Sequence, residues 1–70
     1  MTPEDNTTRY LANFKDEIES AALYRAMAQA EKQPQLATIY LKMAEVEENH
    51  ADFWSEKITK AGKPSPERRL

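Results

Sequence analysis

Proline and glycine are so sparsely placed in this chain that they dictate most of its architecture. From Thr8 to Gln33 neither occurs, Pro34 stands alone, and neither returns until Gly62. The first uninterrupted stretch is rich in strong helix formers such as Leu11, Ala12, Ala21, Ala22, Leu23 and Ala26, which predicts one long helix. Its apolar positions fall at Tyr10, Phe14, Ile18, Ala21, Tyr24 and Ala28, in steps of three and four that draw a stripe along one face. Asn6, Thr7 and Thr8 are the expected capping residues. The helix must end near Gln33, because a residue before proline avoids the helical region, whereas Pro34 suits the first position of a new helix. A second stripe then runs through Leu36, Ile39 and Tyr40, Met43, Val46, Phe53 and Trp54, and Ile58. Gly62 offers a left-handed terminus, with Lys57, Lys60 and Lys63 near the negative end of the helix dipole.

A connection this short makes the two helices antiparallel neighbours. The predicted organisation is an N-terminal segment 1–7, a helical hairpin 8–61, and a tail or linker 62–70 that carries Pro64 and Pro66. Seventy residues make one small domain whose core is thin unless a disulfide, a metal or a partner chain supplements it. Cysteine is absent, so disulfides and thiolate sites are excluded and any metal must be held by carboxylates and imidazole, which favour hard or borderline ions. The aromatic load of Tyr10, Phe14, Tyr24, Tyr40, Phe53 and Trp54 is wider than one helix–helix seam can use. A second hairpin is therefore expected, and the fold class predicted is all-α: an antiparallel αα-hairpin that dimerises into a four-helix bundle, alone or within a larger ring of dimers.

Charge sets further bounds. Ten basic against twelve acidic residues leave a net charge of −2, and no basic-aromatic platform accompanies them, so nucleic acid is not an expected partner. No apolar run approaches the roughly 20 residues that span a bilayer, and Met1-Thr2-Pro3-Glu4-Asp5 is acidic where a signal peptide would be basic. The expectation is a soluble module on the cytoplasmic side.

Three ionisable residues interrupt the apolar stripes. Glu17 lies between Phe14 and Ala21 in the three-four rhythm, and Glu47 and His50 lie between Met43 and Trp54, three residues apart on one side of the second helix. Counted from the turn, Glu17 and Glu47 reach nearly the same level at ~1.5 Å per residue. A buried carboxylate costs several kcal/mol unless paired or bound to a cation, so three such groups in one layer call for a compensating charge that a metal ion supplies. Glu47-Glu48-Asn49-His50 is a Glu-x-x-His motif, the spacing used in di-iron carboxylate bundles. By itself it is a weak signal: nine of the 70 residues are Glu, which places one three residues before the single His about one time in eight. An ordinary His50–Glu47 helix pair is the competing account, and Glu17 on the facing stripe tips the balance toward metal.

The segments Asp16-Glu17-Ile18-Glu19-Ser20-Ala21-Ala22-Leu23-Tyr24 and Ala44-Glu45-Val46-Glu47-Glu48-Asn49-His50-Ala51 resemble a rubrerythrin-type, ferritin-like domain over residues 9 to 60. The chain is most similar to two shortened kinds, the encapsulated ferritins and the rubrerythrin-like domain that precedes the membrane part of some vacuolar-iron-transporter-family proteins. A full-length ferritin-like chain carries two Glu and two Glu-x-x-His motifs, whereas this chain carries one of each. Dimerisation would restore four Glu and two His, the ligand set of a di-iron centre. The resemblance implies an iron cofactor (Fe2+/Fe3+), ferroxidase-type chemistry at Glu17, Glu47 and His50, and a weaker acidic site outside the metal layer at Asp16 and Glu19. For those two acids a solvated helix face is the alternative. Tyr24, on the Glu17 face, would either hydrogen-bond a ligand carboxylate or pack in the core. Trp54, Met27 and Met43 are read as packing, and Glu31, Glu45, Glu48 and Glu56 as surface.

Two functions follow as expectations. The first is iron oxidation for storage or detoxification at a di-iron site shared across a dimer. The alternative is a non-catalytic dimerisation hairpin, with Glu17, Glu47 and His50 as a polar network that sets register, or an iron-delivery module attached to a larger protein. Partners implied by the resemblance are an encapsulin shell or a membrane iron-transport domain, which would enclose or tether the module.

Overall fold

The computed structural model describes residues 5–69, so residues 1–4 of the expected N-terminal segment, and Leu70, lie outside the description. Helix α1 spans Asp5–Ala30 and helix α2 spans Pro34–Lys60, and among the described residues there is no strand. The two helices lie side by side as a hairpin of 49 × 18 × 16 Å, somewhat longer than the roughly 40 Å a 27-residue helix reaches at ~1.5 Å per residue. α1 starts three residues before the expected boundary, which puts Asn6, Thr7 and Thr8 inside the first turns rather than at a cap.

The turn is three residues long because Pro34 starts α2 directly. Gln33 is extended (φ −87°, ψ 116°), as a residue before proline must be, and Pro34 occupies the first helical turn, where its missing N–H costs nothing. The Gln33 carbonyl accepts from the Ala37 amide at 2.9 Å, and the Gln33 amide donates to a Glu31 carboxylate oxygen at 3.1 Å. At the other end Gly62 takes φ +86°, and the Gly62 and Lys63 amides donate to the Thr59 and Ile58 carbonyls at 3.0 and 3.2 Å. This paired closure turns the chain back along the hairpin.

The seam differs from the predicted second stripe. On α1 Phe14, Ile18, Ala21 and Ala28 are buried as expected, but on α2 the buried residues are Ala44, Ala51 and Ile58, spaced by seven. Ile39, Met43, Val46 and Phe53, read from the sequence as the packing stripe, remain exposed in the single chain. The physical reason is size. Alanines at the contact let two helices approach closely, and the larger apolar side chains flank the seam and face outward. Tyr10 and Trp54 pack against the buried cluster of Phe14, Ile18, Ala51 and Ile58, their rings 5.7 Å apart.

Candidate metal centre

Glu17 and Glu47 each stand thirteen residues from the turn end of their helices, so the antiparallel pairing brings them to one level. His50, one turn beyond Glu47 on the same side of α2, completes the layer. Its Nδ1 lies 3.0 Å from Glu47 Oε1 and 3.1 Å from Glu17 Oε2. Among the described residues this is the group in which three potential ligand side chains converge, with one donor atom of each within 4.8 Å of the others. Donor atoms around one ion at ~2.1 Å stand about 3.0–3.6 Å apart, so the histidine–carboxylate separations fit a shared ion. Two carboxylate oxygens and one imidazole nitrogen form a donor set suited to a borderline ion such as ferrous iron.

The sequence reading placed these side chains inside a core, and the single chain does not bury them. The His50 side chain is 55% exposed, and those of Glu17 and Glu47 are 21% and 20% exposed. They lie at the surface of a hairpin too thin to cover them, on a face that presents Met43, Val46 and Ile39. Tyr24 borders a shallow hollow with Met43, Val46 and Glu47, so it sits beside one of the candidate carboxylates. Toward the open end of the hairpin the same face carries Phe53 edge-on to Trp54, with the Lys57 ammonium 5.4 Å from both the Tyr10 and Phe53 ring centres.

The other expected acids fall elsewhere. Asp16 is exposed and does not join the three-residue group. Glu19 lines a groove with Lys15, Glu67 and Arg69, away from His50. Glu56 pairs with Lys60 at 2.8 Å on the exposed last turn of α2, and that hydrogen bond holds the Glu56 carboxyl below its ordinary range.

One interhelix pairing goes beyond the sequence reading, which left Arg25 unassigned and placed Glu48 on the surface. Arg25 and Glu48, the neighbours of Tyr24 and Glu47, join α1 to α2 through two hydrogen bonds of 2.7 and 3.1 Å. The hydrogen bonds and the charge of Glu48 hold the Arg25 guanidinium above its usual pKa. The signal available in the sequence was weak: Glu48 was one of many acids on an outer face, and only the hairpin register puts Arg25 within reach.

Residues 11–69 match the family model described as Rubrerythrin. No curated protein and no solved structure gives a match to the chain.

Proposed function

The chain belongs to the Rubrerythrin family, a ferritin-like family that typically binds iron, and from that premise we propose that two copies share a di-iron carboxylate site that oxidises Fe(II). The observation that carries this reading is the setting of the Glu17, Glu47 and His50 group: three converging side chains, two mostly covered carboxylates and a half-exposed imidazole, on an uncovered apolar face. One hairpin supplies two carboxylates and one imidazole, which is half of a two-metal ligand set. Bringing a second hairpin against this face doubles the ligands and covers Ile39, Met43, Val46 and Phe53, each contributing on the order of 1 kcal/mol from the half of its surface still exposed. Exposed apolar surface of this extent marks an association site.

Iron is the substrate in this reading. The carboxylates and imidazoles hold two ferrous ions side by side, and their negative charge favours the ferric state. Each ion loses one electron. The pair reduces dioxygen to hydrogen peroxide with uptake of two protons, or reduces hydrogen peroxide to two waters with the same uptake. Tyr24 orients the Glu47 carboxylate, and Asp16, at the exposed edge one residue before Glu17, collects iron from solution. Storage, detoxification and delivery to an attached transport domain or shell would all begin with this step.

A second reading rests on the 3.0 and 3.1 Å contacts of His50, which place one imidazole N–H within reach of both carboxylates without a metal and would set the register of a non-catalytic dimer. Aerobic titration with ferrous iron separates the two. One iron oxidised rapidly per chain is expected in the parent and in Glu56→Ala. Both Glu17→Ala and Glu47→Ala should lose the stoichiometric phase, and a Glu47→Ala protein that oxidises iron at the parent rate would sink the assignment.

A further inference from the structure

The hairpin has two faces beside its seam, and only one carries the ligands. On the other, the tail folds back. After the Gly62 closure, Pro64, Ser65 and Pro66 share a hollow with Leu11 and Ile58, Glu67 and Arg69 share one with Phe14 and Ile18, and Arg68 shares one with Ala22 and Glu48. Three contacts fix this course. Arg68 forms an ion pair with Asp52 of α2, its guanidinium stands 5.5 Å from the centre of the Phe14 ring of α1, and the Ser65 and Ser55 hydroxyls are 3.3 Å apart. Phe14, only 1% exposed, is the most deeply covered large side chain among the described residues, although a two-helix seam by itself leaves flanking rings open. None of the residues that border the tail belongs to the group of Glu17, Glu47 and His50 or to the hollow beside it.

We infer that the groove between α1 and α2 on the face opposite the ligands is a docking surface whose occupant is the chain's own tail, residues 63–69, and that this occupancy confines self-association to the ligand face. The chemistry matches the occupant. The groove offers an aromatic ring and a carboxylate at one level, and Arg68 meets both, by a cation–ring contact and an ion pair. Pro64 and Pro66 restrict the free tail, so less entropy is lost when it seats. Without the tail, Leu11, Phe14, Ile18 and Ile58 would form a second apolar face on the same hairpin, and a molecule with two sticky faces grows past a closed pair. The inference complements the shared-site reading but does not need it, since covering this groove limits association whichever state the ligand face adopts.

The test uses the absence of native cysteine, which lets Glu67→Cys carry a single nitroxide label on the full chain. In that background the label should broaden the backbone amide signals of residues 14–22 and spare those of 29–31 at the turn, and sedimentation should give one discrete species. Arg68→Glu sets two acids against each other at Asp52. It should abolish the broadening and raise the sedimenting mass above that species. Combining Arg68→Glu with Asp52→Arg should restore both readings, which a variant that had merely misfolded would not do. The inference is overturned if the amides are not broadened with Arg68 in place, if releasing the tail leaves the mass unchanged, or if the charge swap fails to restore the pair of readings. A monomeric parent would refute the shared site while leaving this test intact, because release of the tail must then raise the mass of a monomer.

Discussion

His50 Nδ1 carries at most one proton, yet it faces two carboxylate oxygens at nearly equal distance. A single N–H bonds one of them or divides between both, so the group is under-bonded for the charge it holds. A divalent ion placed there takes over from the proton and satisfies all three donors together, which makes acid and metal competitors for the site. Across a two-fold axis the strain increases, because four carboxylates would crowd one another in the metal-free dimer. Glu47→Gln tests this balance. Glutamine keeps an oxygen for His50 and removes one charge per chain, so the metal-free variant should melt no lower than the parent. The parent's midpoint should rise with Fe(II) under anaerobic conditions, by the equivalent of about 2.7 kcal/mol at a hundredfold excess over the dissociation constant, and the variant's should not. Equal iron-induced shifts in the two proteins would show that Glu47 is not a ligand.

At the scale of elements, Gly62 couples helix to tail. An ideal Cβ at this position would meet nothing within 4 Å, so the cost of Gly62→Ala comes from its φ of +86° alone. That cost is about 1 kcal/mol, or a fall in midpoint of roughly 4–8 °C for a domain this small. A thermal scan checks it, and an unchanged midpoint would mean that the closure observed after Lys60 adds nothing to the fold. The helices themselves were legible in the sequence because Pro34 and Gly62 are the only breakers between Thr8 and Lys63. The seam was not. Ala44 and Ala51 are completely buried, yet alanine is scarcely hydrophobic and is as common on a helix surface as inside, so the larger Ile39, Met43 and Val46 dominated the pattern. The meeting of Glu17, Glu47 and His50 was legible because it depends only on the position of the turn and on helical periodicity. Their exposure was not, since periodicity gives a face and says nothing of what covers it. The packed tail was also hidden: a segment with Pro64 and Pro66 has no period, and its anchors Asp52 and Phe14 lie 16 and 54 residues from Arg68.

Taken as a whole, the molecule is a rod with one face closed by its own tail and one left open around Glu17, Glu47 and His50. No helix among the described residues is long and apolar enough to cross a membrane, and Met43, Val46 and Phe53 stand exposed on α2. A protein face covers them in this account, and the ligand face of a second copy is the one that also completes the metal layer. Assembly and iron are then linked: an ion held by residues of both chains binds the pair more tightly than the separated hairpins, and by the same free energy it tightens the pair. Sedimentation equilibrium on the parent chain, with and without one equivalent of Fe(II) per chain under anaerobic conditions, measures that linkage directly. The account predicts a dimer whose dissociation constant falls at least about tenfold with iron, equivalent to ~1.4 kcal/mol, with two irons in each dimer. A dissociation constant unchanged by iron, or an iron-loaded species that remains a monomer, would contradict it.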